Sequence, residues 1–240
     1  MANKIVISFE GDNVKVVYAA SKSSGSVIRK ALTFANDEFD GFLQRDKNKE
    51  FIVVYDFKTF FSDLLYVPPL KGKYLKGIIE SEIRKRFHNG KEFSFAYTIL
   101  GDKLLEGKKR TEVFVFAADN SDIENILFRF ARYRKIVTHL IPRAYSLAQT
   151  VPFSEEPVLC VSSTGMDKNL FLLKGGNLLF LRVAQGIEKG INDFDMQNIN
   201  MTINHCRQSL KINPLQVLLI GSACSEYNAG MAVILPVVCV

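Results

Sequence analysis

The sequence predicts a mixed α/β protein that uses one strand–turn–strand plan twice, and three observations carry that prediction. Apolar residues alternate through Ile5, Ile7 and Phe9 and again through Val14, Val16 and Tyr18, with Glu10-Gly11-Asp12-Asn13 supplying turn chemistry between them. In the last third of the chain, "VLCVSSTGMDKNLFLLKGGNLLFLRVAQG" repeats the theme as strand, polar turn, strand, Gly-Gly turn, strand. Between the two, strand-like and helix-like segments alternate, which is the arithmetic of a compact α/β unit.

Taken in order, the opening hairpin is followed by a further strand at "VIRKALTF" and another at "EFIVVYDF". Residues 70–88 read as a helix, because Leu75, Ile79, Ile83 and Phe87 fall on one face beside Ile78. "FSFAYTIL" and "TEVFVFAAD" read as two strands joined by a charged loop that contains "GKKR" at 107–110. Ser121-Asp122-Ile123-Glu124 has capping-box spacing, and Ile123, Ile126, Leu127 and Phe130 continue at helical spacing. The Pro-bounded segment "TVPFSEEP" at 150–157 marks a lobe boundary. After the second hairpin, Ile187, Ile191, Phe194, Ile199, Ile203, Cys206 and Leu210 keep a helical period, until Asn213-Pro214 stops it. "LQVLLIGSA" is a strand ending in glycine, and "AGMAVILPVVCV" reads as a terminal core strand, or as an approach to something apolar such as a membrane anchor.

Composition narrows the class. The chain has 240 residues, 48% of them hydrophobic and 23% charged, which is globular rather than disordered. No run is long and apolar enough for a membrane span, and the N-terminus enters a strand without the apolar core of a signal peptide. Cys160, Cys206, Cys224 and Cys239 lie far apart with no CxxC pair, so all four are expected as reduced, buried thiols of a cytosolic protein. The net charge of +6 concentrates in 71–91, 107–110 and 128–135 and favours acidic partners or anionic headgroups. Nucleic acid is not expected as a partner, because the aromatics read as core rather than as stacking platforms. His88, His139 and His205 are isolated, and HExxH, paired Cys/His spacing, a Walker loop and GxSxG are absent. No metal site, cofactor or catalytic residue is therefore read from motifs.

The order of these motifs resembles the actin-like (ribonuclease H-like) fold as it occurs in bacterial pilus and secretion scaffolds, the family of type IV pilus PilM and type II secretion GspL. The resemblance rests on four segments: the hairpin "ISFEGDNVKVV"; "YVPPLKGKYLKGIIESEIRKRF", whose helix carries Glu80 and Glu82; the pair partner "EVFVFAAD"; and the second hairpin with its closing "VLLIGSA". It implies duplicated lobes with an α/β subdomain inserted in the first. Residues 1–150 would form the first lobe, with the insertion at about 39–135, and 151–240 the second lobe. Between Gly186 and Gly221 there is room for one long helix, so the subdomain that covers adenine in nucleotide-binding relatives is expected to be missing.

In nucleotide-binding members each hairpin carries Asp-x-Gly, the carboxylate holding Mg²⁺ and the turn cradling phosphate. Here the Asp position falls on Ser8 and the Gly position on Glu10, followed by Gly11. In the second hairpin they fall on Ser162 and Thr164, followed by Gly165. Glu10 brings a negative charge where a phosphate would lie, and two unit charges about 4 Å apart at an effective dielectric near 20 repel by roughly 4 kcal/mol. The loops are therefore expected to be degenerate and the protein not an enzyme. The rival reading is an active ATPase whose metal is held by Asp12 and Asp167. Lys15 reads as a solvent lysine. Gly221 and Ser222 match the turn that approaches the base in relatives. Lys71, Lys73, Lys76, Arg84, Lys85 and Arg86 form a basic face suited to docking. The resemblance implies as partners an assembly ATPase, the cytosolic tail of an inner-membrane subunit and an anionic membrane surface. It places the protein in the bacterial cytoplasm, peripheral to or anchored in the inner membrane, and leaves a homodimer open.

Overall fold

The computed structural model describes residues 3–22, 25–87, 92–227 and 233–239. Expectations for His88 and for part of the basic stretch at 88–91 lie outside the described residues. The chain divides into two compact units, residues 1–59 with 120–146, and residues 60–119 with 147–240.

The first unit is built on a five-stranded sheet of order β3-β2-β1-β4-β8, formed by β1 (Asn3–Glu10), β2 (Asn13–Lys22), β3 (Gly25–Ala35), β4 (Glu50–Tyr55) and β8 (Ile136–Pro142). The first three strands are antiparallel, whereas β4 and β8 join parallel. The alternation seen in the sequence sends Ile5, Ile7, Val14 and Val16 to one face. There they pack on Phe39, Phe42 and Leu43 of α1 (Phe39–Arg45) and on Ile126 and Phe130 of α3 (Asn120–Ala131). Phe39 sits at the centre, edge-on to Phe9 at 5.4 Å and to Phe130 at 5.9 Å. The capping box expected at 121–124 is displaced: α3 already runs at Ser121, and the Asp122 carboxylate instead accepts the N–H groups of Lys58 and Thr59.

The second unit contains the same sheet plan again. Strands β9 (Val158–Thr164), β10 (Asp167–Lys174), β11 (Asn177–Ala184), β12 (Gln216–Ile220) and β13 (Val237–Cys239) run in the order β11-β10-β9-β12-β13, with the same senses as in the first sheet. Its apolar face packs on α5 (Asp193–Gln208) through Met196, Ile199 and Ile203, and on Ala223 of α6 (Ser222–Glu226). The duplication read from two hairpins is thus a duplication of strand order.

Helix α5 begins later than the apolar period predicts, leaving Ile187 exposed and Ile191 buried ahead of it. The reason is local. The Asn192 side chain accepts the Asp195 N–H at 3.0 Å while the Asp195 carboxylate accepts the Asn192 N–H at 3.1 Å. This reciprocal box satisfies two otherwise orphaned donors and fixes the helix start.

The second unit also holds a three-stranded sheet of order β5-β7-β6, from β5 (Phe60–Val67), β6 (Phe93–Leu105) and β7 (Lys108–Asp119), covered by α2 (Gly72–Arg86). As the spacing predicts, α2 buries Leu75, Ile79 and Ile83, and it does so against Leu65, Val67, Val113 and Val115. This module is narrower than the expected insertion at 39–135, because α1, β4 and α3 belong with the first sheet. It groups with residues 147–240, and the Ser62 hydroxyl donates to the Leu181 carbonyl on β11.

The charged loop expected between β6 and β7 is instead strand on both sides of a two-residue Glu106-Gly107 turn. Both turn residues have positive φ, 50° and 73°, the geometry that matches the strand twist in a tight hairpin. Opposite charges then face across the arm, with Asp102 and Lys109 paired at 2.8 Å.

The expectation of four reduced thiols holds for Cys160 and Cys206, which are free and buried; burial alone raises Cys160 to about 12, and burial is the largest cause raising Cys206 to about 11. It fails for Cys224 and Cys239, which form a disulfide between α6 and β13. Residue separation in sequence concealed this pair, since β13 returns parallel to β12 and brings the two Cα atoms within 5.3 Å.

Candidate functional site: two hairpins with self-satisfied turns

Both hairpins close in the same way. Glu10 pairs with Asn13 across Gly11-Asp12, and Thr164 pairs with Asp167 across Gly165-Met166. Each two-residue turn puts its glycine first with φ near +60°, at 60° for Gly11 and 63° for Gly165, where a side chain would be strained. The register makes Ser8 equivalent to Ser162 and Glu10 equivalent to Thr164.

In the first unit the turn is occupied by the protein's own charges. Glu10 pairs with Lys15 across the hairpin at 2.6 Å and accepts a hydrogen bond from the Ser8 hydroxyl at 3.2 Å. Lys15 is thus an ion-pair partner and not a free solvent lysine. Arg143, the first residue of α4 (Arg143–Ala148), reaches in from behind. Its guanidinium lies 3.5 Å from Glu10 and 2.6 Å from Asp56 beyond β4, and it donates to the Ser8 hydroxyl and the Phe9 carbonyl. The Arg143 side chain is only 8% exposed, so these contacts are made largely out of water. Partial burial pulls the Glu10 carboxyl upward, but the hydrogen bond and charge of Lys15, the charge of Arg143 and the Ser8 hydroxyl outweigh it and hold Glu10 below its ordinary value. A cation clamped between two carboxylates stands beside the position where an Asp-x-Gly turn would offer metal and phosphate contacts. The sequence reading found Ser8 and Glu10 but missed Arg143, whose role depends on a contact more than a hundred residues distant in the chain.

In the second unit, Ser162 pairs in register with Ile220, so the second hairpin lies beside the strand end that carries Gly221 and Ser222. Gly221 turns the chain with φ 63°, and Ser222 opens α6. Ser163 donates to Glu226 of that helix at 2.7 Å, and Thr164 accepts from Asn169 at 3.2 Å. Ser162 is buried, and its hydroxyl finds no partner among the described residues. Behind the turn, Lys168 and Asp195, both essentially fully buried, stand 3.8 Å apart, and Lys168 donates to the Met166 carbonyl at 2.7 Å.

Asp167 accepts the Gly186 N–H at 3.3 Å, and a Cβ at Gly186 would stand 1.9 Å from the Met166 carbonyl oxygen. That oxygen belongs to the turn backbone and has no flexible end to move aside. Gly186→Ala is expected to destabilise the second unit by about 2 kcal/mol or more, as overpacking against backbone does, measurable as a lower urea midpoint at unchanged m-value.

The basic face is uneven. Arg84, Lys85 and Arg86 are tied to Glu80, Glu82 and Asp63, whereas Lys71, Lys73 and Lys76 at the start of α2 make no ion pair among the described residues. Lys76 lies 5.8 Å over the Phe95 ring and Lys73 5.3 Å over that of Tyr74. No group of three or more His, Cys, Asp or Glu suited to hold a metal occurs among the described residues. Likewise, no described helix is long and apolar enough to cross a membrane.

No protein-family model matches the chain, and no curated protein matches it by sequence. Solved structures do match. One is the PilM–PilN type IV pilus biogenesis complex, with a TM-score of 0.74 over 99% of this chain and 88% of that one at 12% identity. Another is the cytoplasmic domain of EpsL, an inner membrane component of the type II secretion system of Vibrio cholerae, with a TM-score of 0.59 over 91% of this chain and 82% of that one at 11% identity. Such identities speak for fold, and with the repeated strand order they answer the resemblance drawn from the hairpins: the chain has the actin-like fold, in the form seen in these pilus and secretion proteins.

Proposed function

We propose that the protein is a non-catalytic cytoplasmic scaffold of an inner-membrane assembly platform of the type IV pilus or type II secretion kind. It would link an assembly ATPase to the cytosolic tail of a membrane subunit, with anionic lipid as a further contact for Lys71, Lys73 and Lys76. The likeness to PilM, solved with PilN, and to the cytoplasmic domain of EpsL supports the setting. The observation that carries the non-catalytic part is the Glu10–Arg143–Asp56 cluster. Neither Ser8 nor Ser162 offers a metal-side carboxylate, and the charge of Glu10 is already matched by Lys15 and Arg143. A phosphate arriving there meets a carboxylate first and would have to break a largely buried pair to reach the cation.

Calorimetric titration with Mg²⁺-ATP tests this reading. No heat is expected from the wild type at millimolar nucleotide, nor from Glu10→Gly, which removes the negative charge but restores no metal ligand. Micromolar binding by the wild type, with hydrolysis lost in Asp167→Asn, would overturn it in favour of the ATPase.

A further inference from the structure

We infer that the three-stranded module carries a docking groove of its own for a short peptide segment of a partner, one that is apolar with acidic residues beside the apolar ones. This deepens the scaffold reading and rests on it only for the partner being a protein. The groove itself is a cavity of about 490 Å³ between α2 and the β6–β7 arm, with Tyr66, Pro68, Ile78 and Leu105 in its lining. That is within the usual size for a recognition pocket and far too large for a packing defect. Two of the large apolar side chains that line the groove are open to solvent, Tyr66 at 40% and Leu105 at 38% exposure. Apolar side chains left open inside a concave surface, beside charged ones, have the composition of a recognition site.

Charge selects the occupant. Between residues 60 and 119 there are eleven Lys and Arg against eight Asp and Glu. Five of those cations are matched internally: Arg84, Lys85 and Arg86 as above, Lys103 with Glu112 and Lys109 with Asp102. The two cations on the groove wall, Lys108 and Arg110, make no ion pair among the described residues. Of the groove's carboxylates, Glu82 is already engaged by Lys85, which leaves Glu106 at the arm's tip as the one uncompensated negative group among its described lining residues. The rim is therefore short of negative charge, and a peptide carboxylate set beside an apolar anchor supplies it. A concave floor suits an inserted side chain better than a flat lipid surface, which favours a peptide over a membrane.

The test uses the whole chain and three probes. A fluorescein-labelled twelve-residue peptide alternating Leu with Asp is titrated by anisotropy, beside its Leu/Lys counterpart and phosphatidylglycerol vesicles. The acidic peptide is expected to bind and the basic one not to. Lys108→Glu with Arg110→Glu should weaken binding about tenfold or more, and Glu106→Gln should strengthen it, since exposed charges act with opposite sign. Leu105→Asp should abolish binding with the circular dichroism spectrum of the folded chain retained, since Leu105, 38% exposed, stands next to the arm's turn. Equal binding of both peptides, no binding of either, or indifference to Lys108 and Arg110 would overturn the inference. Vesicle binding without peptide binding would overturn it in favour of lipid, and a dimer lost in Leu105→Asp in favour of a second copy. ATP hydrolysis would sink the scaffold reading without touching these peptide results, so the two failures are distinguishable.

Discussion

Replacing Asp195 by alanine is expected to cost about 3–5 kcal/mol of stability, because it leaves a buried ammonium without its counter-charge. Lys168 is 1% exposed and Asp195 is 0% exposed, so neither charge is open to bulk solvent that could replace the other. The same carboxylate accepts the Asn192 N–H and so holds the start of α5, a cap whose loss adds roughly 1 kcal/mol. Chemical denaturation read by circular dichroism measures the sum. The double variant Lys168→Met with Asp195→Asn removes both charges and keeps an acceptor for the Asn192 N–H. It is expected to be clearly more stable than Asp195→Ala, since removing a whole buried pair costs less than orphaning half of it. Equal losses in the two variants would mean that packing, not charge, sets the cost.

Arg143→Ala is expected to cost about 3 kcal/mol, the lower end for breaking a buried pair, because Glu10 and Asp56 each keep 29% exposure and so recover some hydration. The loss should fall on the first unit, where the guanidinium joins the hairpin turn to β4 and α4. Its pH dependence is a second signature. The folded value of Glu10 lies below its ordinary 4.5, so its contribution is present above that pH and is lost as pH falls through the lower folded value. The gap between wild type and Arg143→Ala is therefore expected to narrow on acidification below about pH 4, as a protonated Glu10 no longer needs the cation. Urea midpoints collected from pH 7 to pH 3 measure this, and a gap that stays constant would remove Glu10 from the account.

Period-two alternation determined the first hairpin and short apolar runs bounded by glycine-bearing turns the second, because in both segments the signal lies between neighbouring residues. The spacing of Leu75, Ile79 and Ile83 determined α2 in the same local way. The equivalence of Ser8 and Ser162 was legible too, since they stand at matching places in two copies of one motif, whereas their reading as departures from Asp came from the family resemblance. Two further local signals lie in the sequence. Asn192 and Asp195 have capping spacing that outranks the apolar period before them, and Glu106-Gly107 is a two-residue turn between Leu105 and Lys108 with a glycine at its second position. Strand β5 and helix α1 carry no such signal, because "FFSDLLYV" and "FDGFLQR" are short and without a distinctive period, so only packing assigns them.

What tertiary structure alone decided is which distant residues meet. Arg143 completes the first hairpin turn, Lys168 finds Asp195, Cys239 returns to Cys224, and α2 with the β6–β7 arm encloses a groove. None of these has a local signature, since an unpaired arginine, lysine or cysteine reads the same in sequence whatever it later touches. Alternation and capping are free energies of adjacent residues and so are written along the chain. The pairing of a charge with its partner is a free energy of position in space, set only once the sheets have brought their strand ends together.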